Sequence, residues 1–172
     1  WNRSYTICAL GKCFVTSLDE DFSNYKKPSM VIGCISCNFK CCKEANIPVS
    51  VCQNEPIYAQ PNIDISIDEI IDRYINNPIS KAVVFGGLEP MLQFEDIVLF
   101  LHKFRNVYNR KDDIVIYTGY YEHEIIGEVK TLQHYPNVIV KFGRFKPNEE
   151  KHYDEVLGVE LISNNQYAKK IS

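Results

Sequence analysis

The sequence lacks the features of a membrane-spanning or nucleic-acid-binding protein. No apolar run approaches the ~20 residues that a membrane-spanning helix needs. The formal net charge of −3 excludes the basic surface that nucleic acids require. No signal peptide is recognisable at the start, where Trp1 stands instead of methionine and suggests that the natural start lies upstream. We therefore expect a cytoplasmic protein that binds neither membranes nor nucleic acid.

Low-complexity tracts and internal repeats are also missing. Hydrophobic residues make up 45% of the chain and charged residues 24%, which is ordinary globular composition. This balance excludes a disordered or fibrous protein. A length of 172 residues is typical of one domain, so we expect a single domain over residues 1–172.

Cysteines are abundant and clustered. Of seven, five fall within 19 residues: Cys34, Cys37, Cys41, Cys42 and Cys52. A secreted disulfide scaffold would be smaller, with its cysteines spread along the chain, so the clustering favours metal binding. Thiolates suit zinc, copper(I) and iron–sulfur clusters, and the cysteines alone leave structural zinc and a [4Fe–4S] cluster open. We expect the remaining two, Cys8 and Cys13, to be small buried hydrophobes.

Beyond the cysteines, the sequence predicts alternating strands and helices. Short apolar runs predict buried strands at residues 30–33, 82–85, 114–117 and 138–140. Apolar residues at helical spacing predict helices at residues 67–75, 94–104 and 122–131. This alternation predicts an α/β fold with a mostly parallel sheet, and the units are too few for a closed barrel, so we expect a partial, open β/α barrel. The cysteines lie in a long functional loop predicted over residues 33–62.

Ligands of parallel α/β folds bind beyond the carboxyl ends of the strands. Three segments follow predicted strands: the cysteine loop after Gly33, Gly86-Gly87-Leu88-Glu89-Pro90, and Thr118-Gly119-Tyr120. We expect them to converge in space. The paired glycines allow close backbone approach to a ligand, although they also suit a plain turn. Glu89 is either an acceptor for a ligand ammonium or merely exposed.

Two of these segments resemble motifs of the radical S-adenosylmethionine superfamily. Cys37-Asn38-Phe39-Lys40-Cys41 resembles the first half of its CxxxCxxC signature. The segment Gly86–Pro90 resembles its GGEP motif with one extra residue. The resemblance implies a [4Fe–4S] cluster held by three cysteines, whose open iron binds the amino and carboxylate groups of S-adenosylmethionine. In such enzymes electron transfer from the cluster releases a 5′-deoxyadenosyl radical.

The sequence departs from that signature at the third cysteine, where Glu44 stands. Cys52 is followed by Gln53-Asn54, and the superfamily often has an asparagine two residues after its third cysteine. We therefore predict that this chain has an insertion between the second and third cysteines of the signature. The predicted ligands are Cys37, Cys41 and Cys52. The competing set is Cys34, Cys37 and Cys41. If Cys37, Cys41 and Cys52 are the ligands, Cys34 and Cys42 either lie beside the cluster or only pack against neighbouring side chains.

From about Val31 onwards, the chain is similar to the activating proteins of anaerobic (class III) ribonucleotide reductases. Asp113–Tyr120 resembles that family's strand ending in W/Y-T-G-Y, and Asn137–Phe145 resembles its strand ending in D-G-K/R-F. Ser163-Asn164-Asn165-Gln166 resembles its S-x-N-Q element. Phe142 stands where the family has an aspartate.

This resemblance implies a function and a cofactor site. The protein would abstract a hydrogen atom from a backbone glycine of anaerobic ribonucleoside-triphosphate reductase, with a flavodoxin or ferredoxin as electron donor. No side chain acts as general acid or base, because the cofactor carries the chemistry. The implied cofactor-binding residues are Gly86, Gly87, Glu89, Pro90, Thr118, Gly119 and Arg144. Two alternatives remain: a radical enzyme acting on a small nucleotide-like substrate, as in deazaguanine synthesis, and a non-catalytic zinc-binding module.

Overall fold

The computed structural model describes residues 12–15 and 18–172. The strands are β1 (Lys12–Val15), β2 (Leu18–Asp21), β3 (Ser29–Gly33), β4 (Ile63–Ser66), β5 (Ala82–Gly86), β6 (Asp113–Tyr117), β7 (Val138–Phe142), β8 (His152–Asp154), β9 (Val159–Leu161) and β10 (Tyr167–Lys170). The α-helices are α1 (Lys40–Ala45), α2 (Glu55–Tyr58), α3 (Ile67–Asn76), α4 (Phe94–His102) and α5 (Ile126–Leu132). Short 3₁₀ turns occur at Val49–Val51, Pro90–Gln93 and Glu122–Glu124, and α4 continues as a π-helical segment, Lys103–Val107. The expectation about Cys8 and Cys13 concerns side chains outside the described residues.

An open, mostly parallel sheet forms the centre of the fold. Within the described ranges its order is β10-β7-β6-β5-β3-β2, with β3, β5, β6 and β7 parallel and the two outer strands antiparallel to their neighbours. The pairs β1–β4 and β8–β9 lie outside this sheet. The prediction of an α/β fold with a mostly parallel sheet is confirmed. The described strands do not close into a barrel.

The central strands are apolar because both faces of the sheet are covered. Val83 and Ile114 pack into the larger core, which includes the buried faces of α3, α4 and α5. Their neighbours Val84 and Val115 point to the opposite face and pack into a smaller core around Leu157. Residues on both faces of β5, β6 and β7 are therefore buried, so continuous apolar runs, rather than alternation, mark these strands.

Local signals delimit α3 as the sequence predicts. The Ser66 hydroxyl accepts a hydrogen bond from the backbone N–H of Glu69 at 3.1 Å, and the Ser66 N–H donates to the Glu69 carboxylate at 2.9 Å. The helix ends before Asn77, because the residue preceding Pro78 disfavours helical backbone. Its apolar stripe is buried against the sheet, at Ile67, Ile70, Ile71 and Tyr74.

The cysteine loop is more ordered than predicted. Residues 33–62 contain α1, the turn Val49–Val51 and α2, which are elements of three to six residues. Elements this short do not repeat an apolar position often enough to produce a periodic signal. No helix in the described part of the chain is long and apolar enough to cross a membrane.

Candidate functional site

A cavity of about 410 Å³ opens where the parallel strands end. The segment after each strand contributes to its wall: Cys37 follows β3, Gly87 follows β5, Thr118 follows β6 and Gly143 follows β7. The register places Gly33 beside Gly86, so the first two segments start side by side. The segments that the sequence expected to converge therefore do so. The volume lies in the range of about 300–1,000 Å³ that is usual for small-molecule sites.

Most of the predicted cofactor-binding residues line this cavity, namely Gly87, Glu89, Thr118, Gly119 and Arg144. Gly86 and Pro90 lie beside it. The carbonyl of Gly86 accepts a hydrogen bond from the backbone N–H of Cys34 at 2.9 Å, and Pro90 is buried at the start of a 3₁₀ turn. These two residues shape the backbone behind the wall.

Four thiols lie along one wall of the cavity, those of Cys37, Cys41, Cys42 and Cys52. The sulfur atoms of Cys41 and Cys42 are 3.9 Å apart, and the Cys42 thiol also lies close to that of Cys52. Cys34 lies elsewhere: it is 3% exposed and packs in the larger core, against a small void lined by Ile32 and Ile67. The structure thus groups Cys52, and not Cys34, with Cys37 and Cys41.

The inserted segment between Cys41 and Cys52 folds back, so that Cys52 lies at the same cavity as Cys41. Phe39 and Asn46 adopt left-handed conformations (φ 51° and 52°) at the two ends of α1, which reverses the chain. The N–H of Ile47 then donates to the Cys42 carbonyl at 3.0 Å. After Pro48, the N–H of Cys52 donates to the Val49 carbonyl at 2.9 Å. Backbone bonds within the insertion therefore hold the distant cysteine near the first two.

An ion network anchors the insertion to the strand ends. Glu44, which stands in place of the signature's third cysteine, accepts two hydrogen bonds from the Arg144 guanidinium, at 2.6 and 3.0 Å. Arg144 also donates to both carboxylate oxygens of Glu124, at 2.6 and 2.7 Å, and to the Gly119 carbonyl at 2.9 Å. The guanidinium holds the pKa of the Glu124 carboxyl well below its usual range. All five N–H donors of Arg144 therefore have partners. The central carbon of its guanidinium lies 4.5 Å from the ring centroid of Tyr121.

Glu89 is buried, so the interpretation that it is merely exposed is wrong. It is 7% exposed, and its carboxylate accepts hydrogen bonds from the Thr118 hydroxyl at 2.6 Å and the Gly119 N–H at 2.8 Å. It also accepts the N–H of Met91 at 3.0 Å. Burial raises the pKa of this carboxyl, while the three donors oppose that rise. Glu89 thereby joins the segments that follow β5 and β6.

Sequence reasoning missed a polar group in the lining of this cavity. Lys141 and Gln166 both line the cavity, and both donate to the carbonyl of Gly143, at 2.7 and 3.4 Å. Burial lowers the pKa of Lys141 to about 8, while the nearby Glu89 and Cys41 favour its charged form. A lysine in the otherwise apolar strand β7 was the available signal, because a lysine is almost never buried without an anionic partner.

The thiols that line this cavity are ligands that iron–sulfur clusters take. Zinc needs its ligands around one point, and among residues 12–15 and 18–172 no three cysteine, histidine or acidic side chains are arranged to hold one metal ion. The thiolates of a [4Fe–4S] cluster bind different irons and need no common point. Burial raises the pKa of the Cys37 thiol to about 12 and that of Cys42 to about 11. Metal binding must therefore release protons here.

The Cys37 thiol already accepts a backbone hydrogen bond. The N–H of Phe39 donates to its sulfur at 3.3 Å. Hydrogen bonds to sulfur are among the features that set the reduction potential of an iron–sulfur cluster. The site therefore offers soft ligands and a backbone donor at the same sulfur.

Comparison with known proteins gives one match. The model of a family described as a 4Fe-4S single cluster domain matches residues 30–167, which include most of β3, all the clustered cysteines and most of the sheet. No curated protein and no solved structure shows a significant match to this chain.

Proposed function

Because the chain belongs to the family of 4Fe-4S single cluster domains, we propose that its thiol-lined cavity holds the [4Fe–4S] cluster through Cys37, Cys41 and Cys52. Cys34 points into the apolar core and is not a ligand in this proposal. Cys42 adjoins Cys41 in sequence, and neighbouring side chains seldom both reach one cluster. Three ligands leave one iron with an open position, which is the feature that distinguishes reactive from structural metal sites.

The same cavity has room for a second molecule, which we propose to be S-adenosylmethionine. One observation supports this most: the thiols share one cavity with the backbone of Gly87, a glycine whose lack of a Cβ permits close approach. When bound, the cluster supplies the electron that cleaves S-adenosylmethionine into methionine and a 5′-deoxyadenosyl radical. The chain's own residues position the ligand and exclude water. In this proposal the sheet is the partial, open β/α barrel of the radical S-adenosylmethionine superfamily.

We further propose that the radical is passed to a protein. The segments that resemble the activating proteins of anaerobic ribonucleotide reductases, β6 with its Thr118-Gly119-Tyr120 turn and β7 with Gly143-Arg144, form adjacent parts of the cavity wall. The substrate is then a backbone glycine of the reductase, and the electron donor is a flavodoxin or ferredoxin.

Product analysis tests the proposal. Protein reconstituted with iron and sulfide under anaerobic conditions should convert S-adenosylmethionine to 5′-deoxyadenosine and methionine in equal amounts when a reductant is added. A Cys52→Ser variant should form neither product. In the presence of the purified reductase, an electron-paramagnetic glycyl signal should appear. Cleavage without a glycyl signal would retain the cofactor chemistry and exclude the reductase as substrate.

A further inference from the structure

Lys141 is a charged side chain enclosed in the fold, and it lines the same cavity as the thiols. It is the one charged residue of β7 and is 7% exposed. Its ammonium donates to the carbonyl of Gly143 at 2.7 Å. Its backbone lies between two paired strands, opposite Tyr117 in β6 and Ala168 in β10. The ammonium is therefore held at the cavity and does not extend into solvent.

The charge of Lys141 is available to a group in the cavity, whereas that of Arg144 is not. These two residues are the cations that line the cavity in the described part of the chain. Arg144 is bonded to two carboxylates, which balance its charge. Lys141 bonds a neutral carbonyl, and the groups that favour its ammonium form are Glu89 and Cys41. The Lys141 charge therefore lies on the side of the cavity where a proposed cluster ligand stands.

Reduction of the cluster adds negative charge to this enclosed space. Three thiolates give a [4Fe–4S] cluster a net negative charge, and the electron that the proposed reaction requires increases it. Charges interact strongly where burial excludes water, so a nearby cation favours the reduced form and a nearby anion opposes it. Without the Lys141 ammonium, the buried carboxylate of Glu89 would make reduction harder still.

We infer that the Lys141 ammonium raises the reduction potential of the cluster by stabilising the negative charge of its reduced form. This inference rests on the proposed function, specifically on the cluster held by Cys37, Cys41 and Cys52. The electron comes from the flavodoxin or ferredoxin donor, and Lys141 keeps its proton throughout. The effect does not require S-adenosylmethionine, because the charge acts on the cluster itself.

The test is a redox titration of the anaerobically reconstituted protein at pH 7 without S-adenosylmethionine, followed by the electron-paramagnetic signal of the reduced cluster. Lys141→Met removes the charge, and Lys141→Gln removes the charge but keeps a hydrogen-bond donor. In both variants the ratio of reduced to oxidised cluster at a given potential should fall roughly tenfold or more, which is a shift of about 60 mV to more negative values. Lys141→Arg keeps the charge and should stay near the wild-type potential.

Lys170→Met is the matched control, because it removes the same charge from an exposed lysine in the adjacent strand β10. The Lys170 ammonium bonds Asn137, which precedes β7, whereas Gly143 follows that strand. This variant should therefore leave the potential unchanged. Iron content is measured on every variant.

Neutral variants that load with iron and keep the wild-type potential would overturn the inference and leave the proposed function intact, as would an equal shift in Lys170→Met. If neither neutral variant loads with iron, Lys141→Arg decides. Iron bound at the wild-type potential would then show that the charge acts on the cluster, and loss of iron would show a structural role and overturn the inference. Wild-type protein without a cluster signal would overturn both proposals, whereas a cluster that does not cleave S-adenosylmethionine would overturn the proposed function alone.

Discussion

Individual cysteines differ in their surroundings, although the sequence shows them as one cluster. Cys37, Cys41 and Cys52 face the cavity, while Cys34 is buried in the larger core. Cys42 faces the cavity but is 2% exposed and is already in contact with its neighbours. The five thiols should therefore respond differently to the same substitution.

We predict that serine at Cys37, Cys41 or Cys52 abolishes cluster binding, because in the proposed site each supplies one of three thiolates to a separate iron. Cys42→Ser and Cys34→Ser should retain the iron, and Cys34→Ser should lower only the stability, since it replaces a thiol packed in the core by a more polar hydroxyl. The measurement is iron and sulfide content after anaerobic reconstitution. Iron retained by Cys52→Ser together with iron lost from Cys34→Ser would move the third ligand upstream.

The pair Arg144–Glu124 predicts a pH dependence of stability. The folded-state pKa of Glu124 is depressed by Arg144 first, and also by Lys40 and the Tyr121 N–H, so the pair stabilises the folded protein above the ordinary carboxyl pKa of about 4.3. That contribution is lost progressively as the pH falls below this value. Glu124→Gln should lower the free energy of unfolding at pH 7 by roughly 1–2 kcal/mol.

The difference between Glu124→Gln and wild type should shrink in acid, because the Glu124 carboxyl of the unfolded chain takes up a proton below its ordinary pKa while that of the folded protein stays ionised to lower pH, which favours the unfolded state. Urea unfolding with reductant at pH 7 and near pH 3 measures both differences. A constant difference across this range would show that the carboxylate charge is not what stabilises the pair.

At the scale of elements, two glycine substitutions test the backbone conformation that follows β7. Gly143→Ala should destabilise the protein by about 2 kcal/mol or more, because a Cβ would contact the Asn165 carbonyl oxygen and the backbone is left-handed. Gly127→Ala is the matched control. Gly127 lies in α5 with open space around its Cβ position, so alanine should stabilise by roughly 0.5–1 kcal/mol. Denaturant midpoints that move in the same direction for both variants would contradict this description of the β7 end.

Strands and helices with strong local signals could be predicted from the sequence, whereas those that depend on tertiary contacts could not. The central strands β5, β6 and β7 were clear as apolar runs, and α3 as a capped amphipathic helix. The edge strand β10 was missed because it is four residues long with one buried residue, Ala168. Its pairing with β7 depends on chain contacts that no local pattern shows.

The residues of the candidate site were likewise predictable only in part. Motif spacing pointed to Cys37, Cys41 and Cys52, and the structure places them on one wall. The role of Arg144 as an anchor for Glu44 was not predictable, because the two residues are one hundred positions apart and meet only in the folded chain. Lys141 and Gln166 were missed for the same reason, since their shared partner, Gly143, depends on the approach of two distant segments.

At the scale of the whole molecule, the proposed cluster makes the protein sensitive to oxygen. An iron with an open position is accessible to oxidants, and thiolates released from a lost cluster oxidise further. We predict that air exposure removes iron and the capacity to cleave S-adenosylmethionine in parallel. Iron content and product formation, followed over the same hours in air, check this. Full retention of iron would argue against a three-cysteine cluster.

The most direct test is whether the protein holds a [4Fe–4S] cluster whose open iron binds S-adenosylmethionine. The measurement is the electron-paramagnetic spectrum of the anaerobically reconstituted and reduced protein, recorded with and without S-adenosylmethionine. We predict the signal of a reduced [4Fe–4S] cluster, with g values that shift when S-adenosylmethionine is added, because a new ligand binds the open iron. In Cys52→Ser protein the signal should be absent. A wild-type cluster signal that S-adenosylmethionine leaves unchanged, or a colourless protein that retains zinc after reconstitution, would contradict the account.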